Sequence, residues 1–134
     1  MRNRPLPSLS EADRAYVSSI VLHEDSQVIV FDKPSGLAVQ GGGGVEQSLD
    51  DLLVAFAKSN GKRPRLVHRL DRGTSGVIIV ARTKPAAALL SEEFSSRRAR
   101  KTYVAVVDGK IPDGDEGVLT SRLLKSKRVV ARAC

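Results

Sequence analysis

Apolar positions along the 134-residue chain alternate between a period near two and a period near 3.6, and each change of period marks an element. Ser10 and Asp13 have the spacing of a capping box, which predicts a short helix opening there after a Pro5- and Pro7-containing leader. Ile20 to His23 and Gln27 to Asp32 read as strands separated by the turn-prone Glu24-Asp25-Ser26, so they should pair as a hairpin. Lys33-Pro34-Ser35-Gly36 is a turn, and Gly41 to Gly44 should form a mobile loop. From Ser48 the longer period returns. Ser48 is a good N-cap, Asp50 and Asp51 suit the first turn, and Leu49, Leu52, Leu53 and Phe56 give one apolar face. This predicts a helix to about Asn60, ended by Gly61.

Arg65 to His68 and Val77 to Arg82 read as strands flanking the polar turn Asp71 to Gly76. Pro85 suits the first turn of a helix to about Arg97, with Ala87, Leu90 and Phe94 on one face. A strand over Arg100 to Val107 should follow, then a break at Pro112, Gly114 and Gly117, then a hairpin of Val118 to Leu124 with Arg128 to Arg132. Strands interleaved with helices in this order predict an α+β class. A hydrophobic content of 41% suffices for one core, and two full domains are improbable at this length.

Composition narrows the function. The longest apolar runs fall far short of the roughly 20 residues of a membrane-spanning helix, and residues 1–19 lack the apolar stretch of a secretory signal. One cysteine, Cys134, provides neither an internal disulfide nor a metal-ligand set, so a reducing cytoplasm is the expected compartment. A net charge of +7, with clusters at Arg97, Arg98, Arg100, Lys101 and at Lys125, Lys127, Arg128, points to a polyanionic partner. Only 4% of residues are aromatic, which favours contacts to phosphate and RNA shape over a row of stacked bases.

The densest chemistry is in His68-Arg69-Leu70-Asp71-Arg72-Gly73-Thr74-Ser75-Gly76, where a strand ends in a turn carrying a carboxylate between two arginines. A scaffold strand holds such a group rigidly, glycines allow close approach, and nearby positive charge should keep the carboxylate ionised, as a nucleophile or base requires. The same residues also suit an ordinary surface turn. Gly41 to Gly44 lacks the Gly-Lys-Ser/Thr ending of a phosphate loop, and His23 and His68 are too isolated for a metal site.

This nonapeptide resembles the signature of the RluA-type RNA pseudouridine synthases. Asp32-Lys33-Pro34-Ser35-Gly36-Leu37 and Arg100-Lys101-Thr102-Tyr103-Val104-Ala105 resemble two further motifs of that family, in the same order. The resemblance runs from about Ile20 to Gly109, and Pro5 to Ala15 is similar to the linker that follows an S4 RNA-binding domain in one subgroup. It implies a mixed, mainly antiparallel sheet with helices packed on it, a leader over residues 1–19 and a partial catalytic domain over 20–134.

The resemblance also implies isomerisation of uridine to pseudouridine in RNA, most plausibly 23S ribosomal RNA, with no cofactor and no metal. Asp71 would be the catalytic carboxylate, as nucleophile at C1′ or base at C2′. Tyr103 would stack on the uracil near its C5 proton. Arg69, Arg72, His68 and Lys101 would contact RNA, with Arg72 favoured to do so and the role of Lys33 left open. Family members continue into a Gly-Arg-x-His-Gln-type motif whose basic residue faces the Asp. The 134 residues do not contain it, so the expectation for the chain alone is negligible turnover and self-association through an open sheet edge. The alternative is a non-catalytic RNA-binding or inactive fragment.

Overall fold

The computed structural model describes residues 8–109 together with Gly117, Val118 and Thr120. Helix α1, Glu11–Ser19, opens on the expected capping box: Asp13 N–H donates to Ser10 Oγ and Ser10 N–H to Asp13 Oδ2, both at 3.0 Å. Strands β1, Val21–Glu24, and β2, Val28–Lys33, form the expected hairpin, with an irregularity between Val21 and His23. The hairpin's turn is tied by Asp25, whose carboxylate accepts from Gln27 N–H at 2.7 Å and Val28 N–H at 2.9 Å.

Strand β4, Gly76–Ala81, pairs along the whole of β2 and, on its other side, with the two-residue strand β3, Arg65–Leu66. The sheet order is β1-β2-β4-β3 and every pairing is antiparallel. The class is therefore α+β, as the pattern predicts.

Alternation along β2 and β4 turns Ile29, Phe31, Ile78 and Val80 onto one face, where they are fully buried. Val17 of α1 and Leu49, Leu52 and Leu53 close over them. Burial of each such side chain contributes roughly 1.5–3 kcal/mol before entropy is counted. Helix α3, Lys84–Ser95, is capped by Thr83, whose Oγ1 accepts from Ala86 N–H at 3.3 Å, and lies against β4.

Three expected elements differ. The helix expected to reach Asn60 is α2, Leu49–Leu52, continued by a 3₁₀ turn, Leu53–Phe56. Tightening to three residues per turn stacks positions 53 and 56 on one side. There Leu53 is buried and the Phe56 ring meets Phe31 edge-on, 5.7 Å between centroids at 67°. Strand β3 stops at Leu66 rather than His68, because the His68 side chain takes over from the backbone as described below.

Residues 100–107 make no strand ladder among the described residues, and Val104 and Val106 are 87% and 76% exposed. Strand-forming side chains alone do not make a strand without a neighbouring backbone to pair with. Of the final hairpin, only Val118 and Thr120 fall among the described residues.

Candidate active site

The turn after β3 is placed by one apolar anchor. Leu70 is 9% exposed and joins the core, which turns its neighbours Arg69 and Asp71 out to solvent. The turn closes on itself through Thr74 N–H, which donates to Asp71 O at 3.0 Å. It is then fastened to the Lys33–Gly36 turn. Gly36 N–H donates to Arg72 O at 2.7 Å, Arg72 Nε to Gly36 O at 2.9 Å, and Ser35 Oγ to Gly73 O at 2.8 Å. Gly36 sits at φ 96°, where a side chain would be strained.

Lys33 is the centre of this clamp. It occupies the last inward position of β2, after Ile29 and Phe31, and has no solvent exposure. Its Nζ donates to three backbone carbonyls, Leu37 O at 2.7 Å, Pro34 O at 3.0 Å and Arg72 O at 3.3 Å. Three N–H donors thus meet three acceptors, which is how a buried ammonium is tolerated. Burial pushes the amine's pKa down, and the nearby Asp71 carboxylate opposes that shift. One residue therefore joins both turns and brings a positive charge near the exposed carboxylate.

Beside the turn lies a cavity of about 660 Å³ whose wall includes His68, Leu70, Thr74, Ser75, Phe94 and Tyr103. His68 is half-buried and its Nε2 accepts from Ile79 N–H at 3.0 Å, so the ring carries its proton on Nδ1. The ring stacks on Phe94 at 4.1 Å and 13°. Burial, and after it the charge of Lys101, push the His68 pKa down. Lys101 also lines the cavity, with its Nζ 5.4 Å from the Phe94 ring centroid.

The structure thus gathers His68, Lys101 and Tyr103 on one cavity wall, with Tyr103 59% exposed. Asp71 stands between the wall residues Leu70 and Thr74 in the chain but does not itself line the cavity. Arg72 is engaged through Nε with the Gly36 carbonyl, and Arg69 is exposed on the approach to the turn.

Sequence reasoning left Lys33 without a role. Its inward position in the period of β2 was the available signal. Phe94, read only as a helix-face residue, is the ring on which His68 rests. Among the described residues no group of three His, Cys, Asp or Glu is placed to hold a metal ion, and no helix is long and apolar enough to cross a membrane.

Known proteins share the sequence pattern and the fold of this chain. The sequence model of the family described as RNA pseudouridylate synthase matches residues 27–133. The chain is 37% identical over 131 residues to RNA pseudouridine synthase 4, mitochondrial, of Arabidopsis thaliana, covering 87% of this chain and 27% of that protein. It is 38% identical over 96 residues to ribosomal large subunit pseudouridine synthase C of Escherichia coli, covering 72% of this chain and 30% of that protein. The chain therefore spans about a third or less of the length of these two relatives.

Among solved structures, human RNA pseudouridylate synthase domain containing 4 superposes with a TM-score of 0.55 at 30% identity, over 65% of this chain and 34% of that one. The family match includes the Lys33 clamp, the Asp71 turn and the Tyr103 segment in one continuous stretch. By that match, the chain belongs to the RluA-type RNA pseudouridylate synthase family.

Proposed function

We propose that this chain supplies the catalytic carboxylate and part of the uracil pocket of an enzyme that isomerises uridine to pseudouridine in RNA, with large-subunit ribosomal RNA as the substrate. The observation that carries the reading is the clamp: an exposed Asp71 on a turn that buried Lys33 fastens to its neighbour, at the edge of a cavity bearing Tyr103. A carboxylate that must meet a ribose carbon needs such a rigid mount. Names of relatives such as the Escherichia coli large-subunit synthase support the choice of RNA.

The reaction breaks the N1–C1′ bond, forms C5–C1′, releases a proton from C5 and returns one to N1, with no net redox change and no cofactor required. Asp71 acts first, by adding to C1′ or by taking the C2′ proton. The target nucleotide must leave its stack to reach the turn. Arg69 and Arg72 hold the RNA backbone near it, His68 and Lys101 shape the cavity wall, and Tyr103 stacks on the base near its C5 proton. We place the reaction in a reducing cytoplasm, in keeping with a single cysteine.

The test is tritium release from C5 of labelled uridine in unmodified ribosomal RNA, using the intact protein. Asp71→Asn should lower release by roughly 10²–10⁴-fold or more while RNA affinity stays nearly unchanged, because the lost group does chemistry and not phosphate binding. Near-normal release by the variant removes Asp71 from the mechanism. A second reading, RNA binding without turnover, is favoured by the exposure of Tyr103, since an uncovered pocket admits water to the glycosidic bond. Bound RNA with no tritium released by the unmodified chain selects it.

A further inference from the structure

Six basic side chains converge at the opposite end of the sheet from the Asp71 turn. A cavity of about 850 Å³ there is lined by Lys58, Lys62, Arg63, Arg65, Arg82 and Lys84, against one acidic residue, Asp50. Three separate parts of the fold deliver them: the loop after the 3₁₀ turn, the edge strand β3, and the junction of β4 with α3. The loop is preformed. Lys58 N–H donates to Lys62 O at 3.0 Å and Gly61 N–H to Lys58 O at 2.8 Å, with Gly61 at φ 77°, so residues 58 and 62 are held side by side.

Two of the six cations are matched, Arg63 with Asp50 at 3.1 Å and Arg82 with Glu24 at 2.6 Å. Lys58, Lys62, Arg65 and Lys84 have no ion pair among the described residues. Four unmatched like charges around one concavity repel, and an anion entering it removes that cost. The size of the cleft favours one kind of anion. At about 850 Å³ it is larger than a single phosphate fills, which suits a chain of phosphates.

The route to the reacting turn is also cationic. Arg65 and Arg69 are both exposed on the segment that leads from the cleft to Asp71. Strand β4, six residues long, separates the Ala81 end beside the cleft from the Gly76 end beside the turn, a distance of roughly 20 Å. At the 3.4 Å rise of a stacked strand that is roughly 6 nucleotides, and fewer where the strand is extended.

We propose that this cleft is a second RNA-backbone site, gripping phosphodiester groups several nucleotides from the target uridine and so setting a minimum length for a tightly bound substrate. The inference rests on the RNA-isomerase reading above.

The experiment is a fluorescence-anisotropy titration of the full chain with two RNAs centred on a uridine, one of about 5 nucleotides that cannot span to the cleft and one of about 20 that can. The variant is Lys58→Gln/Lys62→Gln/Lys84→Gln, three exposed side chains whose removal leaves every backbone bond of the loop in place. For the long RNA, Kd should rise about tenfold or more and the slope of log affinity against log salt should become shallower by about 2, at about 0.7 per lost contact.

Binding of the short RNA should not change. Wild-type affinity of the variant for the long RNA overturns the proposal and leaves the cleft to another partner, such as an acidic protein surface. Equal weakening for both lengths overturns it too, because the lysines then act through net charge and not through a distant grip. If the unmodified chain binds neither RNA, the RNA reading itself fails, a result distinct from either of the others.

Discussion

At the scale of single residues, the position of Lys33 is the least ordinary feature of the chain. Its ammonium is buried where the alternation of β2 would place an aliphatic side chain, and what it returns is a bridge between two turns 39 residues apart in sequence. Lys33→Met keeps the apolar stem and relieves the buried charge, but it leaves Pro34 O and Leu37 O without the donor that Nζ provides. An acceptor deprived of its partner in this way costs about 1–3 kcal/mol, and that loss should dominate. The expected outcome is a lower urea midpoint together with faster hydrogen exchange at Gly36, whose N–H bonds Arg72 O across the two turns. Unchanged protection of Gly36 would show that the backbone bonds alone join the turns.

At the scale of elements, the β3–β4 edge has a pH-dependent fastening. After Leu66 the chain leaves the ladder, and the His68 ring, braced by Phe94, accepts the Ile79 N–H in place of a backbone carbonyl. The His68 pKa in the fold lies below its ordinary value of 6.5, through burial first and Lys101 second. Well above 6.5 the ring is neutral in the folded and unfolded chain alike, and its contribution is complete. Between the folded value and 6.5 the unfolded chain binds a proton that the folded chain refuses, so stability falls as the pH falls. A protonated ring would also turn a donor toward the Ile79 N–H donor. Denaturation midpoints should therefore decline as the pH is lowered from about 7 through 6.5. His68→Gln, which cannot titrate and keeps an acceptor, should show a shallower decline. Parallel curves for the two proteins would assign the pH dependence to other groups.

At the scale of the whole molecule, the exposed valines of residues 100–107 lead to an expectation of association in solution. Val104, Val106 and Val107 are 87%, 76% and 73% exposed, in a segment whose backbone makes no ladder among the described residues. Exposed valines beside unpaired backbone groups favour pairing with a second copy. Sedimentation velocity should show a weight-average mass that rises with concentration, and Val104→Thr/Val106→Thr should shift the distribution toward monomer. A single monomeric species at all concentrations would show that this surface does not drive association. RNA occupying the cavity beside Tyr103 would compete with such contacts, so added RNA should also lower the average number of protein copies per particle.

What the sequence by itself determined is the part of the molecule written in local chemistry. The Ser10 and Ser48 caps, the β1–β2 hairpin, the helix start at Pro85 and the α+β class all follow from groups a few residues apart or from simple alternation. The ordered motifs around Lys33, Asp71 and Tyr103 pointed to the family for the same reason, since a motif is a local pattern.

Tertiary structure alone decided which of these residues meet. Lys33 reaches Arg72, His68 replaces a strand carbonyl for Ile79 and rests on Phe94, and the helix after Ser48 tightens so that Phe56 meets Phe31. Cations from three elements surround one cleft. Each of these joins positions far apart in the chain, and only the folded chain holds them close enough for burial, hydrogen bonds and charge to act between them.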